Sequence, residues 1–164
     1  MKKMFVSLIV FLLIPSLLFA AGSCTQTARS YTGGLVVITF VCTGDASNGS
    51  IPNTAISAAN MALIEGKYYL YTVQAYPTAS GTPPDAADVF ILDGNGMDLL
   101  GSADMVTAGK GLNLIHATLP KETLLYNYHN SSYYAPPVRN ALTLKVANQA
   151  TVSANYTVEL VFAR

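Results

Sequence analysis

The stretch CTQTARSYTGGLVVITFVC, Cys24 to Cys42, contains both cysteines of the 164-residue chain. Its centre, Thr32-Gly33-Gly34, is a turn signal between two strand-like runs, and a three-residue loop with glycine in the left-handed region is a common hairpin connection. With those residues as the loop, Tyr31 faces Leu35, and counting outward brings Cys24 opposite Cys42. Facing residues of antiparallel strands have Cα atoms about 4.5–5.5 Å apart, within reach of a disulfide. A two-residue loop would instead set Cys24 against Thr43. The three-residue loop therefore predicts a Cys24–Cys42 bond in a β-hairpin. The spacing fits neither a C-x-x-C redox pair nor a zinc site.

An oxidised pair needs an oxidising compartment, and the N-terminus supplies a route to one. Lys2 and Lys3 precede an uncharged run, Met4 to Ala20, and the small residues AAGS follow. That order is a secretory signal peptide, 1–22, with Ala20 and Gly22 at the positions that require small side chains. The mature domain is then 23–164. Two alternatives remain: an uncleaved anchor, interrupted by Pro15, or a lipoprotein acylated on Cys24, which excludes the disulfide. After cleavage no membrane span is expected. The predicted location is exported: periplasmic, cell-surface or extracellular.

Once Lys2 and Lys3 are removed, seven basic residues face nine acidic ones, for a net charge near −2. Such a surface lacks the basic patch that nucleic acid or anionic membranes require. Charged residues make up 11% of the chain, whereas Tyr, Thr, Ser and Asn are plentiful, as in secreted β-proteins.

Downstream, the chain reads as short strands separated by turns. CTGDASNGSIPNT is a long turn, and SAANMALIEG predicts one or two helical turns capped by Ser57 and closed by Gly66. KYYLYTVQAYP alternates, with Tyr69, Tyr71, Val73 and Ala75 on one face and Tyr68, Leu70, Thr72 and Gln74 on the other. DVFILDG is a short strand, and GLNLIHATL alternates weakly. ALTLKVA sets Leu142, Leu144 and Val146 on one face. NYTVELVFA does the same with Tyr156, Val158, Leu160 and Phe162, with Thr157 and Glu159 facing out. The residues between these last two strands predict a hairpin turn. The pattern is all-β: a single antiparallel β-sandwich or jelly-roll-like domain of about 7–8 strands.

Three groups of residues suggest sites. Asp93, Asn95 and Asp98 lie close together in DGNGMD, a glycine-rich loop of the kind that binds calcium. The EF-hand spacing fails at Met97, and turn-initiating aspartates explain the same residues; no other cofactor is expected. Tyr126, Tyr128, Tyr133 and Tyr134, in the loop YNYHNSSYYAPP, form a candidate interaction surface for a protein or glycan, because each ring adds area at low entropy cost. His116 and His129 are the only histidines, and no G-x-S-x-G, H-E-x-x-H or P-loop pattern occurs, so no catalytic residue is assigned.

GSCTQT, VCTGDASNGSIPNTAIS with IEG after it, ILDGNGMDLLG and the closing YTVELVFAR resemble a group of short β-rich proteins from phage, prophage and environmental sequences. The resemblance implies a virion-associated structural role and carries over no functional residues; the signal peptide departs from a virion protein assembled in the cytoplasm. The leading expectation is an exported, non-enzymatic structural or binding module, with self-assembly into a homo-oligomer as one form of it. The alternatives are a phage-derived virion or tail protein and a secreted enzyme acting on polysaccharide.

Overall fold

The computed structural model describes residues 21–79, 81–85, 87–100, 121–124, 126–127, 132–133 and 135–164. The hydrophobic leader expected over 1–22 falls, up to residue 20, outside the described residues. Among the described residues there are ten strands and one helix: β1 Ser23–Tyr31, β2 Leu35–Thr43, β3 Thr54–Ala55, α1 Ala58–Ile64, β4 Tyr69–Pro77, β5 Asp88–Leu92, β6 Lys121–Leu124, β7 Tyr126–Asn127, β8 Ser132–Tyr133, β9 Thr143–Ala147 and β10 Asn155–Ala163.

The first pair forms as the loop count predicts. Tyr31 pairs with Leu35, Cys24 pairs with Cys42, and both loop glycines have positive φ, 101° at Gly33 and 83° at Gly34. The disulfide closes across this ladder, with Cα atoms 4.0 Å apart.

A five-stranded sheet in the order β1-β2-β10-β4-β6 packs against a three-stranded sheet in the order β3-β9-β5, and every ladder is antiparallel. The alternation of β2 and β10 explains the packing. Val36, Ile38, Phe40 and Cys42 lie beside Phe162, Leu160, Val158 and Tyr156, all fully or almost fully buried. From the other sheet Val89, Ile91 and Leu144 join the same core, with Leu142 just ahead of β9 and Met61 and Ile64 of α1. This is the two-layer all-β sandwich that the patterning predicts. The helix is also where expected: Ser57 accepts the Asn60 amide at 3.3 Å, and Gly66 follows with φ 67°.

Four expectations need correction. β9 and β10 do not form a hairpin. They belong to different sheets, so residues 148–154 cross from one layer to the other. Each strand has one apolar face, and both faces are buried by packing toward each other across the core rather than side by side.

In β4 the strict alternation fails. Val161 pairs with Thr72, but Phe162 pairs with Leu70, so Tyr71 is an extra residue in a bulge. A bulge resets which face the side chains take; Leu70 becomes core, and Tyr69 and Tyr71 are exposed. Thr157 does lie on the face away from the core, yet it is only 7% exposed. Finally, the tyrosine-rich loop contains a short ladder, Tyr126 with Tyr133 and Asn127 with Ser132.

Two glutamines tie the layers. Gln26, on the inward side of β1, donates to the Ala55 carbonyl at 2.9 Å and accepts the Ser57 amide at 2.8 Å, fastening the edge strand to the start of α1. Gln149 is buried in the crossing loop. It donates to the Thr151 and Gly49 carbonyls at 2.6 and 3.3 Å and accepts the Asp85 amide at 3.0 Å, so three loops meet on one side chain. Gly22, just ahead of β1, is also buried, and a Cβ there would lie 2.0 Å from the Ser50 carbonyl oxygen.

Two measurements test this core. The disulfide closes a loop with a sequence separation of 18, which by chain entropy contributes about 3 kcal/mol. Reduction is expected to lower the thermal midpoint by roughly 10 °C; an unchanged midpoint would show the bond idle. The Tyr156 hydroxyl is buried with no hydrogen-bond partner among the described residues, and burial pushes its pKa far up. Stranding a hydroxyl costs about 1–3 kcal/mol. Tyr156→Phe is therefore expected to leave stability equal or higher in urea unfolding, and a loss above about 1 kcal/mol would reveal a partner that the structure lacks.

Candidate functional site

The outer face of the five-stranded sheet can be read row by row from the strand registers. Nearest the β1–β2 turn, Tyr31, Leu35, Ala163 and Tyr69 stand side by side across four strands. The next row is Arg29, Val37, Val161 and Thr72, with the bulged Tyr71 beside it. Then come Thr27, Thr39, Glu159 and Gln74, and after them Thr25, Val41, Thr157 and Tyr76.

The face is therefore divided. Its turn end is apolar and aromatic, with Tyr31 at 48%, Leu35 at 40%, Tyr69 at 49% and Tyr71 at 51% exposure. Large side chains half-open to solvent and adjacent in the ladder make a contiguous patch, whereas scattered ones would carry no meaning. Its middle is polar. Glu159 accepts a hydrogen bond from the Thr39 hydroxyl at 3.2 Å and one from the Tyr76 hydroxyl. Partial burial, and then the bond and negative charge of Glu159, raise the Tyr76 pKa, so Tyr76 keeps its proton and remains a donor.

Half of this patch is hidden in the sequence. The β4 tyrosines count as ordinary strand residues until the bulge turns Tyr69 and Tyr71 outward. The other half was legible: LVVITFV has apolar residues on both faces of β2, more than one buried face needs. Of the loop tyrosines, Tyr126 and Tyr133 sit opposite each other in the β7–β8 ladder, while Tyr128 and Tyr134 lie outside the described residues.

The proposed calcium loop resolves into two separate devices. Asp93 closes its own turn: one carboxylate oxygen accepts the Asn95 and Met97 amides, each at 2.8 Å, and the Gly96 amide bonds to the Asp93 carbonyl at 2.9 Å. The Met97 amide, with those of Asn95 and Gly96 behind it, holds the Asp93 carboxyl below its ordinary pKa. Asn95 donates to Asp93 at 3.4 Å through its side-chain nitrogen.

Asp98 turns the other way, onto the margin of β5. Its Oδ1 accepts the Ile91 and Leu100 amides, each at 3.1 Å, while its Oδ2 is buried with no hydrogen-bond partner among the described residues. Among the described residues no three His, Cys, Asp or Glu side chains gather as a metal site. Of the remaining acids, Asp88 accepts from the Asn148 side chain and Asp85 gives its amide to Gln149. Asp104, His116 and His129 lie outside the described residues, so a convergence of Asp93 and Asp98 with either histidine falls there too.

No protein-family model, curated protein or solved structure matches the chain. No helix among the described residues is long and apolar enough to cross a membrane.

Asp98 gives a pH signature. Burial raises its pKa above the ordinary 3.8, and the amides of Leu100 and Ile91 and the charge of Lys145 offset this in part. The folded state therefore holds this proton to higher pH than the unfolded chain does. The contribution of Asp98 to stability is greatest below the ordinary carboxylate range and declines as pH rises through the folded pKa. Asp98→Asn removes that titration, so the midpoint difference, variant minus parent, is expected to grow with pH from about 4 upward. A difference that stays constant across pH would show that Asp98 is not desolvated.

Proposed function

We propose that this chain is an exported, non-enzymatic structural or binding module that meets a protein or glycan surface through the turn end of its outer sheet face. The observation that carries the reading is the contiguous row Tyr31–Leu35–Ala163–Tyr69 with Tyr71 beside it, a half-exposed aromatic and aliphatic patch. Tyrosines rooted in a sheet have few rotamers to lose, so they contribute contact area at low entropy cost. Their hydroxyls and the neighbouring Arg29 supply polar contacts at the rim, as binding surfaces require. The Cys24–Cys42 disulfide supports an oxidising working environment.

The test is retention of the purified protein on intact cells of the producing organism. The double variant Tyr69→Ala/Tyr71→Ala is expected to unfold near the parent temperature, since both side chains project from the core. Its retention is expected to fall about thirtyfold or more, the effect of losing central aromatic contacts. A parent protein that is not retained, or a variant retained equally well, would remove this surface from consideration.

A further inference from the structure

The sheet margins of this fold are unequally protected. In the small sheet, β5 is covered along its outer side: the Leu99 amide donates to the Ile91 carbonyl at 2.7 Å, and Asp98 takes up the Ile91 amide. β3 is only two residues long. In the large sheet, β6 has four residues, and Pro136–Val138 continues the cover on the same margin of β4 through the bonds Leu70 amide to Pro136 carbonyl and Val138 amide to Tyr68 carbonyl, each 3.0 Å.

Among the described residues β1 has nothing comparable. It is nine residues long, contains no proline and no bulge, and carries one charge, Arg29. A long edge of this kind is a template for another strand unless something blunts it.

The disulfide shows which groups are open. A Cα separation of 4.0 Å at Cys24–Cys42 is that of a close, non-hydrogen-bonded pair. Cys24 and every second residue after it, Gln26, Ala28 and Ser30, therefore direct their N–H and C=O away from β2. Among the described residues none of these groups has a backbone partner.

We propose that β1 pairs with β1 of a second copy of this chain, antiparallel about a two-fold axis at Thr27, joining two five-stranded sheets into one. That register sets Cys24 opposite Ser30 of the second copy and Gln26 opposite Ala28, so every outward-directed residue meets another. Four pairs that each exchange two bonds give about eight backbone hydrogen bonds. Arg29 then faces Thr25, keeping the one charge of each strand away from its symmetry mate; centring the pair on Arg29 would oppose like charges and lose half the bonds. The self-complementarity of strand parity and charge selects a second copy as the occupant. The edge uses the outward backbone groups of β1 and the patch uses side chains of the outer face, so either surface stands without the other.

The test uses sedimentation equilibrium on protein purified from cells expressing the full chain, with three variants. Ser30→Pro removes an outward amide that the β1–β2 ladder does not use, a position where an edge strand tolerates proline. Thr27→Lys and Thr27→Glu place like charges face to face at the axis while projecting from the solvent side of the monomer. Expected are a concentration-dependent dimer for the parent and a dissociation constant at least about tenfold weaker for Ser30→Pro. Each Thr27 variant alone should be weaker by roughly fivefold, with dimer recovered on mixing the Lys and Glu forms. If Ser30→Pro fails to fold, the Thr27 pair decides alone. A parent that stays monomeric to roughly 100 μM overturns the proposal, including the case where the edge accepts a foreign extended peptide instead. A dimer indifferent to the Thr27 and Ser30 changes overturns it equally.

Discussion

The pairing of β2 with β10 is the constraint on which the rest of the fold depends. Nine consecutive residues of each strand are in register, from Leu35 opposite Ala163 to Thr43 opposite Asn155. This one alignment puts four core side chains of β2 beside four of β10. A shift of one strand by one residue would turn its four core side chains to solvent, so burial fixes the register more firmly than backbone hydrogen bonding alone can. The flanking strands hang from this pair: β1 from β2, locked by the Cys24–Cys42 bond, and β4 from β10. The small sheet then closes over the apolar surface that the pair creates.

What was legible in the sequence was what local chemistry decides. Two glycines at a turn fix a loop length, the loop length fixes a register, and the register brings Cys24 to Cys42. The alternation of β10 named its core residues for the same reason: a period of two has only one face to bury. Ser57 and Gly66 marked the ends of α1 through the groups that a short helix leaves unpaired.

The failures came where a distant partner decides. Nothing inside ALTLKVA or NYTVELVFA tells whether the two strands pair with each other or pack across a core, because both arrangements bury the same faces. The deciding partners are β2 and β4, which flank β10, while the bonds of Gln149 to Gly49, Thr151 and Asp85 hold the crossing loop. The bulge at Tyr71 likewise depends on how β4 meets β10. Its consequence for the candidate site is direct, since it takes Tyr69 and Tyr71 out of the expected packing and adds them to Leu35 and Tyr31. In the aspartate-rich loop the turn-initiating role is legible from residue type and spacing, whereas the link of Asp98 to β5 is not. Asp93 serves its turn, and Asp98 serves the edge of β5.

The two candidate surfaces combine in a specific way. Facing residues of antiparallel strands project to the same side of a sheet, so pairing β1 with its copy leaves both outer faces on one side of a continuous sheet. Tyr31 lies four residues from Thr27, and the two-fold axis sends its counterpart the same distance the other way. At about 3.3 Å per residue the two turn ends stand roughly 26 Å apart along the strand direction. Each turn end is a modest patch, and modest patches bind weakly. Two of them held at fixed spacing on one face engage a repetitive surface together, with the second contact made at high effective concentration. An edge open among the described residues and a half-exposed tyrosine row are separately liabilities for a monomer. In a paired subunit facing a repeating protein lattice or glycan layer, the edge is consumed by assembly and the tyrosine rows point toward the surface to be bound.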